Sequence, residues 1–569
     1  MSQQIYFFLI LFAIFQLTNS RIISTNDLKD ALSQAEPGDV IELKSGTYRD
    51  VPYTLKNGTL GYPIKIKSAP NAEVIFEGDP NKSMFEAYYV HDVVIEGPMK
   101  LYTALHCFKI LNSTNINITG LYMADMKRQA ILMSGHNNKI IKNRIDGCVW
   151  ENQGKAKTMT SGWGQCVAIW GVRNGVFSTN TIVEENIIQF SFGEGLYFLN
   201  CDNCRAYKNN ITNALSNNIY IDSSKNIDID GNILKVNDTY YNNKYGKAGG
   251  IGMSPDYPIS DIQNISITNN IIIGTRIGIS FFTMGAGGGY NNVKIFHNTL
   301  WNVDVTPIWF KKPTTGAYRC EMKNNFIYYD GAIEFEPKSA WEISNNYFYN
   351  ISSVPNIYSG PNSKAAKSLD LKTVFNQEKI CTNYYDPDVK IDCLRPSKEP
   401  GILNLYQSGI SLKYSVPFDI YHCTRSKYNP SIGAFEFPEA CSEDIEPPDT
   451  DTPEEEYEVR FNITYCTSGS RVIKMVASTC GWNVANCPEM TQYMNCNWVL
   501  GLRNALKENF TYKFVVANGN SAYLWESDPF RQFNGQNLTT LAKKSPNGKY
   551  EDCIYSKIGN VIYLQCFWR

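Results

Sequence analysis

The chain has 569 residues and a net charge of −2, with 43% hydrophobic and 13% aromatic side chains. Charged residues make up 19%, below the roughly 25% of an average soluble chain. No basic footprint for nucleic acid or an anionic membrane is present, and the hydrophobic share excludes a disordered chain. In chain order, residues 5–17 (IYFFLILFAIFQL) form an apolar run, shorter than the about 20 residues of a membrane span and suited to a signal-peptide core. Thr18 and Ser20 supply small residues before Arg21. Residues 1–20 are therefore read as a signal peptide, the mature chain as extracellular, and nothing later as a membrane anchor. Sixteen Cys agree with an oxidising compartment. So do the Asn-x-Ser/Thr sequons at Asn57, Asn81, Asn112, Asn117, Asn210, Asn237, Asn264, Asn350, Asn462, Asn509 and Asn537.

Across residues 21–440, short β-branched runs alternate with Asn and Gly. A unit of one or two Asn before an apolar run recurs at Asn143, Asn186, Asn210, Asn232, Asn270, Asn298, Asn325 and Asn346. Several of these spacings lie between 21 and 28 residues. A period of that size without helical stretches predicts one coil of a parallel β-solenoid per repeat. Asn belongs at the corners because it tolerates the left-handed conformation, and stacked corners would let the amides form a ladder. The opening from Asp27 to Tyr48, with its Pro37-Gly38-Asp39 and Gly46-Thr47-Tyr48 turns, is followed by Tyr62-Pro-Ile-Lys-Ile-Lys, by Val74-Ile-Phe-Glu-Gly78 and, near the end, by Ser431-Ile-Gly-Ala-Phe-Glu-Phe. This pattern resembles the right-handed parallel β-helix superfamily of pectate lyases, polysaccharide epimerases and related glycan-active proteins. The resemblance implies a scaffold, and a scaffold does not fix an activity.

Residues 441–457 are acidic and rich in Pro and Thr, the composition of an extended linker. Residues 458–569 alternate in strand fashion and hold Cys466, Cys480, Cys487, Cys496, Cys553 and Cys566, enough for three bridges. Phe510-Thr-Tyr-Lys513-Phe-Val-Val, Leu524-Trp525-Glu526 through Arg531, and Gly481-Trp482-Asn resemble the signatures of family 20 starch-binding modules. The likeness implies α-glucan binding by Trp482, Trp525, Lys513 and Glu526, with Tyr493 at a second site. Indole faces would stack on pyranose rings while polar groups orient the hydroxyls. Phe530 stands where the family has Asn, and Cys480-Gly481 departs from its usual spelling. The expected fold class is all-β: a right-handed parallel β-helix followed by an immunoglobulin-like β-sandwich.

In the solenoid, Gly193 to Phe198 and Ser216 to Asp222 align as neighbouring coils. If Leu196 stacks on Ile219, then Tyr197 stacks on Tyr220, and both tyrosines face outward. Glu194 and Asp222 then lie on adjacent coils, a few ångströms apart along the axis, as candidate catalytic carboxyls. The tyrosines would form a sugar-binding ladder, walled by the segment from Asn237 to Ser260, with Asp256, and by Gly285 to Gly289. The five His are scattered without metal spacing, so no metal or cofactor is expected. Cys201-x-x-Cys204 is read as a corner or a local disulfide. A neutral glucan must be cleaved by two carboxyl groups, which makes a monomeric secreted hydrolase the leading expectation. A non-catalytic glycan-binding wall protein, and a lyase or epimerase on an acidic polysaccharide, stay open.

Overall fold

The structure is a computed structural model. It describes residues 20–153, 164–171, 176–236, 248–256, 261–283, 287–328, 334–349, 362–366, 409–412, 416–421, 423–426, 430–436, 458–464, 472–477, 490–492, 497–503, 509–518, 521–525, 531–534, 553–558 and 561–567. The expected linker lies wholly outside these, as does the expected signal peptide except Ser20, which opens the strand Ser20–Ile23. The chain divides into two compact units, Met1–Ser442 and Glu443–Arg569. Among the described residues, no helix is long and apolar enough to cross a membrane.

The first unit is a right-handed parallel β-helix. One face is a 13-stranded sheet running from Gly46–Tyr48 to Lys364–Ala366. The other two faces form a 25-stranded sheet, joined where the long strand Phe108–Thr119 bends from one to the other. Every described pairing in these sheets is parallel and joins neighbouring coils. Inward positions are filled by Ile, Leu, Val, Phe and Met in one continuous core. The helix Leu28–Ser33 buries Leu28 and Leu32 against the first coils.

The corners explain the Asn. In eight successive coils one corner has a residue at positive φ followed by a fully buried Asn. Lys142, Glu185, Lys208, Asn269, His297, Asn324 and Asn345 take φ between 51° and 59°, and Gly231 takes the same place in its coil. The next residues are Asn143, Asn186, Asn209, Asn232, Asn270, Asn298, Asn325 and Asn346. From Asn186 on, each Asn Oδ1 accepts from the backbone N–H and side-chain amide of the Asn one coil earlier, while Asn143 Oδ1 accepts from the Leu121 N–H. Each Nδ2 also donates to a backbone carbonyl of the coil before. The third rung is Asn209, not Asn210 as the apolar spacing suggested, because Asn210 opens the next strand. A second, exposed ladder runs through Asn137, Asn180 and Asn203, and again through Asn226, Asn264 and Asn292, all at positive φ.

Cys148 and Cys166 form a disulfide inside the solenoid, with Cα atoms 5.4 Å apart. Cys201 and Cys204 are a corner: both thiols are free and buried, and they donate to the carbonyls of Ile169 and Ser178. Described residues between Gly409 and Glu436 strap the ladder corner. His297 bonds Ser431, Asn324 bonds Ile410, and Asn269 bonds both Phe418 and Arg425, whose guanidinium pairs with buried Glu436.

The second unit has a five-stranded and a four-stranded sheet, largely antiparallel, as in an immunoglobulin-like sandwich. Ile473, Met475, Tyr512, Phe514 and Val516 are buried in it.

Candidate functional site

The site lies on the outward side of one face of the 25-stranded sheet. Its strands repeat a local pattern: an outward residue, two inward ones, then strict alternation. In Gln165–Trp170 the inward residues are Cys166, Val167 and Ile169. In Glu194–Leu199 they include Leu196 and Phe198. The doubled inward pair lets Gln165 and Glu194 face outward together with Ala168, Tyr197, Trp170 and Leu199. Three outward rows result. His106, Gln129, Gln165, Glu194 and Asn217 make the first, and Lys109, Leu132, Ala168, Tyr197, Tyr220 and Gly252 the second. The third includes Trp170, Leu199, Asp222 and Ser254.

The expected register is present: Leu196 pairs with Ile219 and Tyr197 with Tyr220. The rings stack with centroids 5.4 Å apart and planes at 12°. Tyr220 pairs next with Gly252, which has no side chain, and Phe282 from the following coil closes onto its ring at 5.8 Å. The tyrosines do not form an open platform. Stacked along the axis, their faces cover one another, and each is 6% exposed. Their hydroxyls act instead. Tyr197 Oη donates to Asp222 Oδ2 at 2.6 Å, and Tyr220 Oη donates to Asp256 Oδ2 at 2.6 Å. Asp222 Oδ1 also accepts from Ser223 and from the Asp256 backbone N–H, and Asp256 Oδ1 from Ser254.

Glu194 and Asp222 are one coil apart along the axis, as the sequence suggested, but they are not side by side. Asp222 pairs with Leu199, five residues along the strand from Glu194. At about 3.3 Å per residue the two backbones are roughly 16 Å apart in that direction, too far for two carboxyls to share one glycosidic bond. The coil-spacing argument overlooked displacement along the strand. The carboxylate that acts on both is Asp256, half-buried above the tyrosine pair.

Burial sets the protonation. Glu194 is 3% exposed, and loss of hydration pushes its carboxyl up to about 8; hydrogen bonds from its own backbone, Ser216 and Gln165 oppose this, while the charge of Asp256 reinforces it. Its Oε2 is buried without a hydrogen-bond partner. Asp222 is fully buried and rises to about 6 by desolvation, with Tyr197 pulling it down. Both phenols are raised, chiefly by burial. The arrangement therefore offers a neutral carboxylic acid with one buried, unpartnered oxygen, and two carboxyls each bonded by a phenol. Among the described residues, no group of three or more His, Cys, Asp or Glu could hold a metal ion.

In the second unit, Trp482, Tyr493 and Glu526 lie outside the described residues, as do the side chains of Lys513 and Trp525. Backbone register pairs Trp525 with Val515, which makes positions 513 and 525 diagonal neighbours on one side of the sheet.

The sequence model of the chondroitinase B family matches residues 22–121, the first coils of the solenoid, and ends before Glu194. No curated protein matches the chain. Among solved structures, a mannuronic-acid-specific polysaccharide family 6 lyase from human gut microbiota is 15% identical, with 62% of this chain and 92% of that one covered at a TM-score of 0.42. Pectate lyase Pel9A is 14% identical over 74% and 96%, at 0.43. XylC in complex with xylose is 10% identical over 74% and 98%, at 0.49.

Sequence reasoning placed Asp256 only in a wall and passed over Gln165. The signal for Gln165 was there: Gln165-Cys-Val-Ala-Ile-Trp repeats the pattern of Glu194-Gly-Leu-Tyr-Phe-Leu one coil earlier.

Proposed function

We propose that the protein is a secreted, monomeric, polysaccharide-active protein whose β-helix hydrolyses a glycan at the Glu194–Asp256–Asp222 face. Its second unit holds an α-glucan through Trp482, Trp525, Lys513 and Glu526, with Tyr493 adding a further contact. The observation that carries the hydrolytic reading is a buried acid with one unpartnered oxygen, Glu194, beside two carboxyls each bonded by a tyrosine hydroxyl. Glycoside hydrolysis needs a carboxyl that is still protonated to release the leaving oxygen, and a carboxylate to serve as base or nucleophile. Glu194 fits the first role, and Asp256, the charge felt at Glu194, fits the second. Asp222 steadies Tyr197 and Asp256 from below.

The test is incubation of the mature chain with a panel of neutral and acidic polysaccharides, reading retention and product release separately. Glu194→Gln should abolish release and leave retention intact. The chondroitinase B match favours a second reading, β-elimination on a uronate polymer. That chemistry leaves an unsaturated uronate with a new ultraviolet absorbance, which hydrolysis does not produce. Retention with no product from any glycan would make the chain a binding protein.

A further inference from the structure

The first outward row contains more than Glu194. His106, Gln129, Gln165 and Glu194 stand on four successive coils, at one register position, and all four are buried. Gln129 Nε2 donates to Gln165 Oε1 at 3.2 Å. Gln165 is the register neighbour of Glu194 on the coil before it, and its amide, like the Ser216 hydroxyl from the following coil, favours the ionised form of the Glu194 carboxyl. Buried side-chain amides are costly unless paired, yet this row sets two of them in line with a carboxyl whose Oε2 is buried and unpartnered. A glutamate has three side-chain torsions, and a polar neighbour that is itself held restricts the directions its carboxyl can take.

We infer that Gln165, backed by Gln129, is the positioning residue that holds Glu194 with its Oε2 aimed at the ligand. The inference rests on the reading of Glu194 as the proton donor. Gln165 touches Glu194, and Gln129 acts only through Gln165. The groups facing Glu194 from the packed coils are neutral Gln165 and Ser216, the Tyr197 hydroxyl and the Asp256 carboxylate. Gln165→Met removes the amide while keeping the volume of the row.

The test follows Glu194 itself. Its protonated carboxyl is titrated by infrared difference spectroscopy, with Glu194→Gln as the blank, so no substrate is needed. The Gln165 amide favours the ionised form, so Gln165→Met should move the midpoint up by about half a unit to one unit, the size of one hydrogen bond's contribution. Gln129→Met should move it less and in the same direction. On any glycan the chain cleaves, both variants should lower kcat while KM stays put. A midpoint unchanged in a Gln165→Met chain that melts like the parent overturns the inference; if that variant does not fold, an unchanged midpoint in Gln129→Met does so. If the parent releases no product from any polysaccharide, the hydrolase reading fails, while the titration still decides the positioning role.

Discussion

Burying an acid without a cation makes the fold answer to pH through a single side chain. Glu194 titrates near 4.5 when exposed and at about 8 in the folded chain, so the native state holds this proton more tightly. The stability it contributes is complete below about 4.5 and is lost as pH rises through 8. Asp222, at about 6 against 3.8, acts in the same sense over a lower window. Buried His106, lowered to about 4, and His297, lowered well below 6.5, act oppositely: their share is lost as pH falls below 6.5. Above about 6.5 both histidines are neutral in either state, and Glu194 is raised the furthest of the described carboxyls. The melting temperature should therefore fall from about pH 6.5 to 8, and Glu194→Gln should flatten that slope. A slope unaltered by the substitution would show that Glu194 does not keep its proton. Tyr197→Phe takes a donor from fully buried Asp222 and should cost about 1–3 kcal/mol in urea unfolding, with the Asp222 midpoint moving up.

The elements separate what burial does from what geometry does. The inner and outer Asn ladders use the same residue at similar spacing, but one is dry and one is wet. Asn209→Ala breaks the bonds from Asn186 and those to Val183 and Asn232 and should cost about 2–4 kcal/mol by denaturant titration. Asn226→Gly keeps the positive φ available and removes only exposed bonds, so it should cost less than about 1 kcal/mol. In the second unit, Cys553 and Cys566 are directly opposite on antiparallel strands. Opposed residues there have Cα atoms about 4.5–5.5 Å apart, within disulfide range. Peptide mapping should recover this bridge as one of three. The apolar runs and the Asn spacing made the coils and the Leu196–Ile219 register legible in the sequence. They could not show that two consecutive residues, such as Cys166 and Val167, turn inward, and that irregularity decides where Glu194 points. Nor could alternation alone reveal that stacked tyrosines hide each other's faces.

At the scale of the molecule, the two compact units meet in sequence at Ser442 and Glu443. Cleavage between residues 443 and 456 should release a C-terminal fragment that folds alone, tested by its melting transition. In that fragment, replacing Trp482 or Trp525 by Ala should weaken starch retention about tenfold, the loss of roughly 1–2 kcal/mol of ring stacking. A folded double variant that is retained as before would remove the α-glucan reading. Periodicity was sufficient for the architecture because every coil repeats the same burial problem. The candidate face was only half legible, because Asp256 reaches it from the end of its own strand to bond Tyr220, a placement no repeat encodes.

The inner ladder has a consequence for how such a chain can change. Its rungs are separated by 43, 23, 23, 38, 28, 27 and 21 residues, yet each backbone bond to the next rung measures 2.9 or 3.0 Å. The stack counts coils and is blind to how much chain is spooled out between them. The stretches of chain between rungs, such as the one from Asn232 to Asn270, can lengthen, shorten or be exchanged while the rungs keep their spacing. Descendants of this chain are thus free to remodel what surrounds the candidate face without having to refound the fold.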